Sequence, residues 1–138
     1  MRAQYNFWPG ARGLDAWDVR RLIRLSSSLP VRMIPLADLA EIDDAYWYNF
    51  GEKPTVRSVA EHAKLISEVD PSYAIILATS GRVMDGMHRV ARALLHDELE
   101  IVAVQFDVDP TPDFRDCRPE DLPYDDEYSI SEDPGPPP

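Results

Sequence analysis

The run Ile75-Ile76-Leu77-Ala78-Thr79-Ser80-Gly81-Arg82-Val83-Met84-Asp85-Gly86-Met87-His88-Arg89 constrains the fold more than any other part of the chain. A short apolar stretch bounded by turn residues reads as a buried strand. Ser80-Gly81 is a tight turn, Val83 to Asp85 a second short strand, and Asp85-Gly86 the start of a helix that continues through Leu95. Met87, Val90, Ala91 and Leu94 recur at helical spacing and predict its buried stripe. The first turn of a helix has backbone N–H groups without intrahelical acceptors and carries partial positive charge, so it can hold an anion. Gly86 lets a ligand come close to the backbone, His88 and Arg89 sit in the first turn, and Arg92 shares a face with His88. Cationic side chains at that end conflict with the helix dipole by a few tenths of a kcal/mol, a conflict that a bound anion relieves. The guanidinium fork suits phosphate oxygens. The same residues also allow a plainer outcome, in which Asp85 caps the helix and pairs with Arg89 and no ligand is involved.

Around this run the chain alternates helices and strands. Residues 1–13 are aromatic and broken by Pro9-Gly10 and Gly13, which reads as an N-terminal arm. Asp15 is the expected N-cap of a helix over 16–28, with Arg20, Arg21 and Arg24 on its solvated face. Val31 to Leu36 reads as a strand, and Ala37 to Ile42 as a single helical turn. An acidic and aromatic loop follows, from Asp43 through Phe50. Thr55 to Val69 is the clearest helix; Thr55 or Ser58 caps it, and Val56, Val59, Ala60, Ala63 and Ile66 are its expected buried face. Leu99 to Phe106 is a final strand. The expected class is α+β, a small mixed sheet with helices packed against it. Its parts are an arm and helix over 1–30, a core over 31–106, and a tail over 107–138 that is extended, Pro-rich and disordered at its end.

Charge bears on partners. The chain carries net charge −11, and 107–138 hold 11 acidic residues against two arginines, so the body is nearly neutral. Such a body lacks the clustered basic surface that nucleic acid calls for, which argues against DNA. An acidic tail suits docking to a basic protein partner. No stretch of 18 apolar residues predicts a membrane span, and the first residues lack the apolar run of a secretory signal. The single Cys117 can form neither an internal disulfide nor a metal cluster, so no metal site is expected and the compartment is read as cytoplasmic.

The segment Val83-Met84-Asp85-Gly86-Met87-His88-Arg89-Val90-Ala91-Arg92-Ala93-Leu94, following a strand and a turn, resembles the phosphate-binding motif of the ParB/sulfiredoxin superfamily. There a D-G-x-H-R or related core follows a short strand and opens a helix. The upstream strand with its helical turn and the last strand match the superfamily's element order, so the resemblance spans about residues 31–106. It implies that Asp85, Gly86, Met87, His88, Arg89 and Arg92 form a phosphate or nucleotide site. Gly86, His88 and Arg89 would touch phosphate oxygens, and Asp85 would orient the loop or a Mg²⁺. Sulfiredoxins place a reactive Cys where this chain has Met87, which cannot do that chemistry, so sulfiredoxin activity is not expected. ParB proteins bind CTP with this domain and continue into a helix-turn-helix domain and a dimerisation tail; the length and acidity of this chain do not suit those parts, so DNA loading is not expected. Free-serine kinases of the superfamily use a related loop with an upstream carboxylate as general base.

Two functions follow from the resemblance. One is an NTP-dependent phosphotransferase or NTP hydrolase acting on a small molecule, using ATP, ADP or CTP with Mg²⁺. Its base would be Asp43 or Glu41, placed by position after the first strand. The other is a non-catalytic ParB-like regulatory module that binds a nucleotide or a protein partner. Tyr46, Trp47, Tyr48 and Phe50 either cover the sheet edge or stack a base.

Overall fold

The computed structural model describes residues 4–124. Its elements are β1 (Tyr5–Pro9), β2 (Leu14–Asp18), α1 (Val19–Ser26), β3 (Arg32–Pro35), α2 (Val56–Glu68), β4 (Ile75–Leu77), β5 (Val83–Asp85), α3 (Met87–Leu95), β6 (Glu100–Gln105) and β7 (Phe114–Cys117). They fall into two units, one from 4–29 with 106–124 and one from Pro30–Gln105. The α+β class is observed. Among the described residues no helix is long and apolar enough to cross a membrane. The expected disorder at the end of the tail concerns residues outside those described.

In the first unit, β1 and β2 form an antiparallel hairpin with Phe7 opposite Ala16, and β7 pairs antiparallel with the other edge of β2. Two expectations are corrected here. Residues 5–9 are a strand of this sheet, and the Pro-rich segment supplies another at Phe114–Cys117. Proline bars a strand only where it sits, and Pro112 and Pro119 lie outside β7. The helix also starts later than expected. Ala16 and Trp17 belong to β2, and Asp18 is the N-cap of α1, its carboxylate accepting from the Arg20 amide at 2.9 Å. Asp15 instead accepts from the Asp116 amide at 3.2 Å. Arg21 is buried, not solvated, and donates to the Thr111 carbonyl at 2.7 Å. Trp17 is buried and its indole N–H donates to the Pro110 carbonyl at 2.7 Å. Leu122 is buried, and Tyr124 packs edge-on against Tyr5.

The second unit is built on the sheet β3-β6-β4-β5. β6 runs antiparallel to β3 and parallel to β4, and β5 returns antiparallel to β4. A parallel neighbour requires a crossover, and α3 lies within it, between β5 and β6. One face of the sheet, with Ile34, Ile75, Leu77, Val83, Ile101 and Ala103, packs against Met87, Val90 and Ala93 of α3 and against Leu36 and Leu39. Three 3-10 turns, Leu36–Asp38, Ala40–Asp43 and Tyr46–Tyr48, carry Ile42, Tyr46 and Trp47 onto that core.

Helix α2 forms where the sequence places it, with the Thr55 hydroxyl accepting from the Ser58 amide at 3.1 Å. Its orientation is the surprise. No residue of α2 is buried; Val56 is 89% exposed and Val59 50% exposed. The half-buried positions are Ser58, His62, Ile66 and Val69, a stripe rotated from the expected apolar one. Two of these positions, Ser58 and His62, have polar partners on the body, described next.

Candidate functional site

The corner that opens α3 is fixed by Gly86. It is the N-cap, lies in the left-handed region at φ +107°, and offers no side chain to the helix. A Cβ there would meet the Ile75 Cγ2 at 2.7 Å and the Arg89 Nη2 at 2.8 Å. Both backbone and packing therefore require glycine, whether or not a ligand approaches. The Arg89 and Val90 amides return to the Gly86 carbonyl at 2.9 and 3.1 Å. The Met87 and His88 amides, the first two of the helix, receive neither a side-chain cap nor a backbone acceptor. By contrast, α1 and α2 are capped by Asp18 and Thr55.

The side chains expected to hold phosphate have protein partners. Arg89 Nη2 donates to Asp85 Oδ2 and to the Ala74 carbonyl, both at 3.2 Å, so the Asp85–Arg89 pair forms at i,i+4 spacing and ties the helix to the entry of β4. Asp85 thus faces an arginine. The Arg89 Nε is buried without an acceptor. Met87 is buried in the core. Arg92 lies one turn beyond His88 and also faces α2, where its Nη1 donates to the Ser67 and Val69 carbonyls at 3.0 and 3.3 Å. A guanidinium on terminal carbonyls complements the negative end of a helix. Arg92→Ala is therefore expected to cost about 1 kcal/mol, with faster hydrogen exchange confined to the last turn of α2.

The two carboxylates considered as bases differ in position. The Glu41 carboxylate accepts from the Val83 backbone N–H, and Tyr46 OH donates to the Val83 carbonyl at 2.7 Å. Because β5 is an edge strand, these two side chains satisfy backbone groups that a further strand would otherwise take. Burial raises the Glu41 pKa, with the Val83 N–H and Arg82 acting in the opposite direction. Asp43 is exposed on its 3-10 turn.

His88 belongs to a cluster that sequence reasoning did not assemble. Its Nε2 lies 2.8 Å from Nδ1 of His62 on α2. The ring centres are 5.0 Å apart and the planes within 19° of parallel, so the imidazoles sit edge to edge in one layer. Trp47 covers both, with its ring centre 4.3 Å from His62 and 4.7 Å from His88 and nearly parallel planes. Tyr48 meets His62 edge-on and its hydroxyl accepts from Ser58 at 3.2 Å. Burial, with smaller contributions from His62 and Arg89, lowers the His88 pKa to about 4, so the ring is neutral at pH 7. His62 lies in the middle of α2 and Trp47 in an aromatic loop; spacing along the chain gives no signal that joins them.

Toward the other end of α3, a groove between α2 and α3 is lined by Ala63, Ile66, Ser67, Arg92, Leu95 and His96. Comparison of the chain with family models, curated proteins and solved structures finds no match.

Proposed function

We propose that the Pro30–Gln105 unit is a ParB-like module that binds a phosphate-bearing ligand, such as a nucleotide, and acts by binding rather than turnover. The supporting observation is the uncapped start of α3, where the Met87 and His88 amides have no protein acceptor at the positive end of the helix. The elements around that corner run strand and helical turn, helix, strand, turn, strand, Gly-led helix, strand. The neutral Asp85–Arg89 pair lies beside it. A phosphotransferase would need a carboxylate free to take a hydroxyl proton. The engagement of Glu41 with the Val83 amide removes one of the two candidate bases and leaves the exposed Asp43.

Titration of the isotope-labelled protein with pyrophosphate, ATP, ADP and CTP, each with and without Mg²⁺, tests this reading. The Met87 and His88 amide resonances should move first. The melting temperature should rise, since a ligand at a hundred times its Kd adds about 2.7 kcal/mol. No inorganic phosphate should be released. Unmoved Met87 and His88 resonances with every polyphosphate would remove the basis for anion binding; phosphate release would restore the catalytic alternative.

A further inference from the structure

The attachment of α2 carries an inference independent of any ligand. No side chain of this helix is fully buried; Ser58, His62 and Ile66 are half-buried. The specific polar links that hold it are the His62–His88 hydrogen bond, the Ser58 hydroxyl's bonds to Tyr48 and, at 3.4 Å, to the Glu52 carboxylate, and the Arg92 bonds to the Ser67 and Val69 carbonyls. The first lies at its centre, under the Trp47 indole. Ser58 and Arg92 do not change charge between pH 4 and pH 7. The His88 ring takes up its proton toward the lower end of that range.

We infer that His62 and His88 form an acid-sensitive clasp, and that adding protons to the pair releases α2 from α3 and Trp47 while the sheet stays folded. Two facing ring nitrogens 2.8 Å apart have room for one hydrogen between them. A neutral pair, or a pair with a single added proton, keeps one donor and one acceptor. Once both rings are fully protonated, both facing nitrogens are donors, the hydrogen bond is lost, and two cations lie in contact. The titratable and charged groups facing the pair are the rings themselves, Arg89 from α3, whose charge acts on His88, and Tyr48, whose ring meets His62. Arg89 adds to the repulsion. No carboxylate contributes to the shift of His88.

The sign follows from linkage. A histidine whose folded pKa lies below its ordinary 6.5 contributes fully above 6.5, and that contribution is lost as pH falls toward about 4, because the released state takes up protons that the docked state refuses. Below about 4 the loss is complete. One pKa unit corresponds to a factor of ten in the docking equilibrium. With partial exposure allowed for, about a tenfold or larger fall is expected across this window.

Hydrogen exchange of the full chain from pH 7 to pH 4, expressed as protection factors, tests the clasp. Protection of 56–68 should fall about tenfold or more, while α3, β4 and β6 remain protected. In His88→Phe a flat ring stays on Trp47 but takes no proton, so α2 protection should no longer depend on pH. The His88 ring should titrate near 4 in the unaltered protein, a measurement that needs no variant. Unchanged α2 protection, loss of protection in all elements together, or a His88 ring titrating near 6.5 would each overturn the proposal.

Discussion

Gly86→Ala should lower the stability of the Pro30–Gln105 unit by about 3 kcal/mol. Two costs combine. Holding alanine at φ +107° costs about 1–2 kcal/mol. Placing its Cβ 2.7 Å from the Ile75 Cγ2 and 2.8 Å from the Arg89 Nη2 adds an overpacking cost of about 1–3 kcal/mol. Ile75 is fully buried at the centre of the core, so it has little room to retreat. Arg89 could move only by leaving Asp85 or the Ala74 carbonyl. Gly81→Ala is the matched comparison: φ is +91° there, but nothing lies within 4 Å of the added carbon. That variant should lose only the conformational part, about 1 kcal/mol. Urea denaturation of both separates strain from crowding. Equal losses would show that packing against Ile75 does not matter.

Asp18→Ala should destabilise the other unit by about 4 kcal/mol. Asp18 is fully buried, and its carboxylate serves two roles. It caps α1 through the Arg20 amide, and it receives the Arg20 guanidinium through Nε at 3.2 Å and Nη2 at 2.9 Å. Losing a helix cap costs about 1 kcal/mol. Breaking a buried ion pair by removing one partner costs about 3–5 kcal/mol, and the lower end applies because the Arg20 side chain keeps 18% exposure. Asp18→Asn keeps an acceptor for the cap but not the charge, so it should retain only the cap's share of about 1 kcal/mol relative to the alanine variant. Trp17, adjacent and buried in the same unit, provides the fluorescence probe for denaturation. If the asparagine variant proves as stable as the unaltered protein, the charge of Asp18 has no part in holding α1; if it is no more stable than the alanine variant, the capping acceptor has none.

Several local features were legible because they depend on neighbours in the chain. The turn at Ser80-Gly81, the left-handed entry at Gly86 and the Thr55 cap all arise from residues within a few positions of one another. So does the Asp85–Arg89 pair, which spacing alone offered as the alternative to a phosphate seat. The small mixed sheet was legible as a class, because apolar runs bounded by turns identify strands without naming their partners. By contrast, the first strand and the last were missed. Tyr5–Pro9 and Phe114–Cys117 lack strong periodicity, and each becomes a strand only through pairing with β2.

The sequence by itself determined the corner at Gly86, the extent of α2 and the alternation of helix and strand, since dihedral preferences, caps and apolar spacing act over a turn or two. Only the tertiary structure decided which face of α2 turns inward, where the Glu41 carboxylate goes, and that His62, Trp47 and His88 share one stack. Those outcomes depend on which groups meet across the fold. The imidazole pair meets under an indole on the face of α2 that turns inward, while Val56 and Val59 stay exposed, and no pattern along the chain encodes that meeting.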